Sequence, residues 1–269
     1  MSPAAPPTAQ ARLLLAVTSF FFAPMADRYF VESPIEGPAT CLRGAEAHHL
    51  AHVMRAKPGT EVLLFDGSGA EFLARIERVG RSEIELAIVS RLSVDRETHV
   101  PLTLAVALPK GDRQRWLVEK AVELGVAHLV PLHTQRSNDR ESSAGLDRLR
   151  RAVIEASKQC GRNRLMTIAP PEKLTDYLTA PDGDVLRLFA HPGALSCQRV
   201  LDDWIPSGPT PDRVTLAIGP EGGFTEAELA LAVAHRWHAV SLGPRILRVE
   251  TAALALAATL TVRCERTFN

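Results

Sequence analysis

Apolar and polar positions follow two different rhythms along this chain, and the change falls near residue 100. Between 25 and 98, short runs at 28–32, 61–65, 72–79 and 83–90 alternate or stay apolar, and glycines separate them. That spacing predicts strands, and DGSG at 66–69 between two of them predicts a hairpin. One helix interrupts the strands at 44–55. From 102 onward, apolar runs (LTLAVA, AHLVPL, VLRLFA at 185–190, and runs at 214–218 and 239–242) alternate with amphipathic stretches at 112–124 and 146–160. Strands bounded by helices on both sides predict a buried parallel sheet covered on both faces. The expected organisation is therefore an extension at 1–24, a small, mostly β, barrel-like module at 25–98, and an α/β domain at 99–269.

Residues 1–24 stand apart from both. SPAAPP is followed by Arg12 and an apolar run at 13–23 that imitates the core of a secretory signal but is shorter than a bilayer span. Three readings are open: an extension ahead of a start at Met25, a loosely docked tail, or a signal. The first is favoured.

Composition narrows the function classes. Hydrophobic residues make up 46% and charged residues 23%, with zero net charge, so any nucleic-acid binding has to come from a local patch. Cys41, Cys160, Cys197 and Cys264 form no C-x-x-C pair, which points to a reducing compartment and away from a zinc ribbon. His48 and His52 stand one helical turn apart, but with no third ligand nearby they read as packed or surface histidines and no metal is expected. The β module carries nine Lys+Arg against twelve Asp+Glu, so contact with RNA there would rest on a few residues. Arg28, beside Tyr29 and Phe30, is one candidate, and a solvated strand arginine is the alternative.

Two loops look like a site. Residues 219–224, GPEGGF, follow the strand at 214–218 and set three glycines and a proline around Glu221, ahead of a capping box formed by Thr225 and Glu228. Residues 243–250 carry Arg245, Arg248 and Glu250 among Ile246, Leu247 and Val249. Both loops fall at carboxyl ends of strands, where open α/β sheets bind ligands. Neither a G-x-G-x-x-G after the first strand nor a P-loop is present. Farther up the chain, Lys110, Arg113 and Arg115 cluster at a helix start where Asp112 is placed to cap. The window 110–164, which also holds Arg136, Arg162 and Arg164, has twelve Lys+Arg against seven Asp+Glu. Such a band suits phosphate contact, and solvated helix faces with i,i+4 pairs are the alternative.

Taken together, KGDR, EKAVELGV, QRS, IEASKQCGRNR, GPEGGFTEAE and LGPRILRVETAAL resemble, in order and spacing, the RsmE family of ribosomal RNA small subunit methyltransferases, in the SPOUT superfamily. The resemblance spans nearly everything from Met25 to the C-terminus. It implies an N-terminal PUA-like β-barrel, a C-terminal α/β SPOUT domain with a deep trefoil knot, a cytoplasmic homodimer, and S-adenosyl-L-methionine-dependent methylation of N3 of a uridine in 16S rRNA of the small ribosomal subunit. It places the cofactor against Gly219, Pro220, Glu221, Gly222, Gly223, Leu242, Gly243, Ile246, Leu247 and Arg248. Thr251 and Ala252 then open a last helix that faces the same pocket. The RNA would meet Arg28, Lys110, Arg113, Arg136, Arg162 and Arg164. Lys158 and Met166 depart from residues common in the family, in a region expected to be an RNA or dimer surface.

Methylation of N3 needs that nitrogen to lose its proton. Arg245 or Arg248 is expected to stabilise the resulting anion at a carbonyl, and Glu250, ahead of Glu221, to take the proton. An Arg248–Glu250 pair is the structural alternative. A SPOUT enzyme acting on ribose or guanine, and a non-catalytic RNA-binding protein, also remain open.

Overall fold

The structure is a computed structural model that describes residues 27–137, 143–181, 185–204 and 211–266, without the side chains of Trp204 and of 264–266. The expectations for 1–24 and for a start at Met25 lie outside the described residues. Of the described residues, 27–66 and 70–94 form one compact unit, and 67–69 with 95–266 form another.

The first unit is a five-stranded sheet made of β1 (Arg28–Phe30), β2 (Ala39–Arg43), β3 (Glu61–Phe65), β4 (Glu71–Val79) and β5 (Glu83–Leu92), in the order β1-β3-β4-β5-β2. β1 runs parallel to β3, and the other pairs are antiparallel. Phe65 pairs with Glu71 across the expected hairpin. Alternation sends Val62, Leu64, Phe72, Ala74, Ile76, Ile84 and Leu86 into one core with Tyr29, Leu42 and Leu50. β2 escapes the sequence pattern because only Leu42 of its five residues is buried. The expected helix is present as α1 (Gly44–His48), which widens into a π-helical stretch, His49–Val53.

Arg28 does not point outward. It is 9% exposed, forms an ion pair with Glu71, and its guanidinium carbon lies 5.0 Å from the centre of the Phe65 ring. A buried guanidinium is costly without such a counter-ion, and this one is committed to Glu71, so Arg28 is withdrawn from the RNA contacts.

In the second unit the chain runs β6 (Leu102–Val106), α2 (Asp112–Glu123), β7 (Val126–His133), α3 (Ser143–Cys160), β8 (Thr167–Ile168), β9 (Glu172–Lys173), α4 (Leu174–Thr179) and β10 (Val185–Ala190). It continues through α5 (Cys197–Trp204), β11 (Arg213–Ile218), α6 (Glu226–Ala234), β12 (His238–Val240) and α7 (Val249–Arg266). The strands lie parallel in the order β12-β10-β11-β6-β7-β8, and β9 pairs with β7 beyond β8. From β6 the chain builds outward through β7 to β8, then crosses to the other side and inserts β11 between β10 and β6. The order therefore reverses between β11 and β6, the place where such sheets bind ligands.

Both faces of this sheet are covered. Leu102, Leu104, Val106, Val214, Leu216 and Ile218 pack with α2, α3 and α7, whereas Ala105, Ala217, Val130 and Phe189 pack with α4, α6 and Trp237. Each fully buried Leu or Val contributes about 1.5–3 kcal/mol, so β6, buried along its whole length, anchors the unit. α4, at six residues, is too short to show a helical period, whereas α5, at eight, is amphipathic.

Several local expectations change. Gly111 is the N-cap of α2, and Asp112 is its first residue. α7 begins at Val249, ahead of Thr251. Arg162 is 3% exposed, donates from Nη1 to the carbonyls of Val122 and Val126 at 3.0 and 2.9 Å, and pairs with Glu97. It fastens the α2–β7 turn, so it too leaves the RNA contacts. Met166 is 3% exposed within the core, and Lys158 lies 3.6 Å from Glu155. The Met166 departure is therefore a packing difference and not a surface one.

Candidate active site

The sequence 219–224 forms a tight turn because Pro220 accepts a 2.8 Å hydrogen bond from the Gly223 amide and Gly223 sits at φ +67°. Thr225 then caps α6 as expected: its side chain accepts from the Glu228 amide, and Glu228 accepts from the Thr225 amide at 2.7 Å. Glu228, 6% exposed, also accepts from the Gln135 amide at 2.8 Å. Arg136 donates to the carbonyls of Gly222 and Phe224 at 2.6 and 3.3 Å. The loop after β7 thus clamps the loop after β11, and Arg136 is first of all a tether.

An open cleft lies at the carboxyl ends of β10, β11 and β12, with about 690 Å³ of empty space when the solvent at its mouth is counted. Of the residues expected at the cofactor, Gly219, Pro220, Glu221, Gly223, Leu242, Gly243, Ile246 and Leu247 line it, and Gly222, Arg248 and Thr251 do not. Arg245 lines it as well and is exposed, as is Ile246. Gly243, at φ +108°, faces open space, whereas a Cβ on Gly219 would stand 3.3 Å from the Phe224 ring. The sequence reading missed Ala190, His191 and Pro192, which form the β10 wall. The Pro192–Gly193 turn after a buried strand was their only signal. The His191 amide donates to the carbonyl of Val240 at 3.0 Å, so this wall is fixed to β12.

A second cleft, about 540 Å³ counted with its open mouth, lies at the ends of β6 and β7. Pro220 and Glu221 line both clefts and form the partition between them. Glu250 lines neither. It is 6% exposed, its Oε1 lies 3.7 Å from Nη1 of Arg113, and its Oε2 makes no hydrogen bond. The same guanidinium reaches Glu221 at 3.4 Å through Nη2. Arg113 therefore bridges two carboxylates that are far apart in sequence, and Glu250 pairs with it and not with Arg248. In the basic band, Arg115–Glu119, Lys120–Glu123 and Arg150–Asp147 are exposed helix-surface pairs at 2.7, 2.6 and 2.8 Å. Lys110 and Arg164 are exposed.

Residues 96–261 match a family model described as an RNA methyltransferase domain, and 42–89 match an RNA methyltransferase PUA domain. The chain is 28% identical over 251 residues to ribosomal RNA small subunit methyltransferase E of Bacillus subtilis, covering 88% of this chain and 97% of that protein. The Synechocystis protein of the same name is 33% identical over 222 residues, covering 82% and 72%. Among solved structures, ribosomal RNA small subunit methyltransferase E of Neisseria gonorrhoeae bound to S-adenosyl methionine superposes with a TM-score of 0.80 at 30% identity, covering 88% of this chain and 98% of that one. A putative methyltransferase from Legionella pneumophila with bound SAM gives 0.78 at 32%, with the same coverage. With an RNA methyltransferase domain over most of its length and a PUA-like domain before it, the chain belongs to the ribosomal RNA small subunit methyltransferase E family.

Proposed function

We propose that this protein methylates N3 of a uridine in 16S rRNA of the small ribosomal subunit, using S-adenosyl-L-methionine held in the first cleft. The observation that carries this reading is the cleft itself, in which glycine and proline backbone and apolar side chains converge at three neighbouring strand ends. Its lining fits the cofactor: Ile218, Leu242 and Leu247 offer apolar faces to an adenine ring, and the loops at 219–223 and 241–247 offer backbone groups to its edge. When bound, the cofactor supplies an electrophilic methyl group on a sulfonium.

The residues of the chain prepare the acceptor. Arg245, exposed and lining the first cleft, is placed to donate to a uracil carbonyl and stabilise the imide anion; Arg248 lines neither of the two clefts. Glu221, on the partition, takes precedence over Glu250 as proton acceptor, because Glu250 is buried against Arg113 and lines neither cleft. Arg113 holds Glu221 from outside and acts as a positioning residue.

The deep trefoil knot of the family is supported by α7, which returns from the β12 edge to pack on α2, β6 and β11. Closure of the PUA-like sheet into a barrel and a cytoplasmic location belong to the same proposal. A homodimer is supported by Trp116 and Val262, large apolar side chains exposed on α2 and α7, which pack together. Among the described residues, no helix is long and apolar enough to cross a membrane.

The test is nucleoside analysis of small-subunit rRNA from cells with and without the gene, with remethylation by the purified protein. Loss of 3-methyluridine in the knockout and its return in vitro is expected. A change confined to ribose or guanine methylation, or no change at all, would refute it.

A further inference from the structure

The second cleft has a wall chemistry different from that of the first. Ala107 and Leu108 after β6, with Pro131 and Leu132 at the end of β7, form its apolar sides. Gln114, in the first turn of α2, and His133 add polar groups from separate elements, and Lys110 and Arg136 are the cations of its lining. Pro220 and Glu221, common to both linings, mark the edge where the second cleft adjoins the first. A flat heterocycle suits apolar sides of this kind, a phosphate suits exposed cations, and an imide edge suits an amide facing a carboxylate.

We propose that the second cleft receives the target nucleotide of the RNA, with its pyrimidine ring between the apolar walls and its phosphate toward Lys110 and Arg136. This inference rests on reading the chain as an RNA methyltransferase with its cofactor in the first cleft. With N3 at the shared edge, Gln114 donates to one ring carbonyl and leaves the other for Arg245, Glu221 faces the ring N–H, and the RNA strand is splayed so that one base leaves its stack. Uracil, with its carbonyl–N–H–carbonyl edge, satisfies both residues. Cytosine presents an unprotonated ring nitrogen to a carboxylate and is rejected.

Gln114→Ala and His133→Ala probe the cleft from two elements, neither of which lines the cofactor cleft. The substrate is small ribosomal subunits from cells lacking the gene, and cofactor affinity is measured by direct titration of the full chain. Each variant is expected to lower kcat/KM for the subunits about tenfold or more, with the cofactor Kd within about twofold of the parent and the unfolding midpoint unchanged. Unchanged kcat/KM in both variants, or cofactor affinity lost in parallel, overturns the assignment while leaving the activity standing. Failure of the parent chain to methylate refutes the activity instead. Photocrosslinking of 4-thiouridine-substituted small-subunit RNA then decides the cleft: crosslinks within 107–114 or 131–137 support it, and crosslinks confined elsewhere overturn it.

Discussion

Removing Arg113 should expose how much the partition depends on one guanidinium. In Arg113→Ala the Glu250 carboxylate, 6% exposed, loses the cation 3.7 Å away while its other oxygen already lacks a hydrogen bond. A unit-charge pair near 4 Å is worth about 4 kcal/mol at an effective dielectric of about 20. The Arg113 side chain is 40% exposed, so water screens part of this, and about 2 kcal/mol is the expected loss of stability. Glu250→Gln in the same background removes the charge that needs a partner, so the double variant should recover at least about 1 kcal/mol relative to the sum of the single changes. All three tryptophans, Trp116, Trp204 and Trp237, belong to the second unit, so urea unfolding followed by tryptophan fluorescence reads that unit selectively. An Arg113→Ala loss below about 0.5 kcal/mol, or strict additivity in the cycle, would refute the bridging role.

Three further outcomes follow from the geometry. Glu71→Ala leaves the Arg28 charge buried and should destabilise the first unit by about 3 kcal/mol, whereas the joint change Arg28→Met with Glu71→Leu should cost less; amide hydrogen exchange along β4 measures both. Gly243→Ala forces a Cβ onto a backbone at φ +108°, a strain of about 1–2 kcal/mol, and calorimetry should show at least about fivefold weaker S-adenosylmethionine binding. Burial pushes the Cys197 thiol up to about 11, and the side chain is 4% exposed, so mass spectrometry should find it unmodified by iodoacetamide at pH 8 in the folded chain, and labelled in denaturant, after Cys41 and Cys160 have reacted.

The strands were legible wherever alternation or an unbroken apolar run was strong. β3 and β10 fall on the expected residues, and the Thr225–Glu228 capping box is present. β2 and the short helix α4 were not, because one buried residue or fewer than two helical turns carry no period, and α5 was overlooked although its eight residues are amphipathic. At the site, the glycine loops were readable as local chemistry, and eight of the expected cofactor residues line one cleft. The arginines were readable only as charges. What each one does depends on a partner far along the chain: Glu71 for Arg28, 43 residues away; Glu97 for Arg162, 65 away; Glu221 for Arg113, 108 away. A pattern confined to a short window contains no term for such pairs, so it cannot separate a phosphate contact from a buried counter-ion.

The insertion of β11 between β10 and β6 also dictates when the site can exist. Leu102 pairs with Val214, so the central junction of the sheet closes a loop of more than a hundred residues. Closures of that length come late and slow folding. On the ribosome, β6, β7 and their helices are synthesised long before β11, and they wait with the β6 edge unpaired. A chaperone or a delay in translation has its greatest leverage on this interval. Neither cleft has its shared wall until the turn at 219–223 has been made and seated, so a nascent chain stalled before residue 219 should capture neither cofactor nor RNA base.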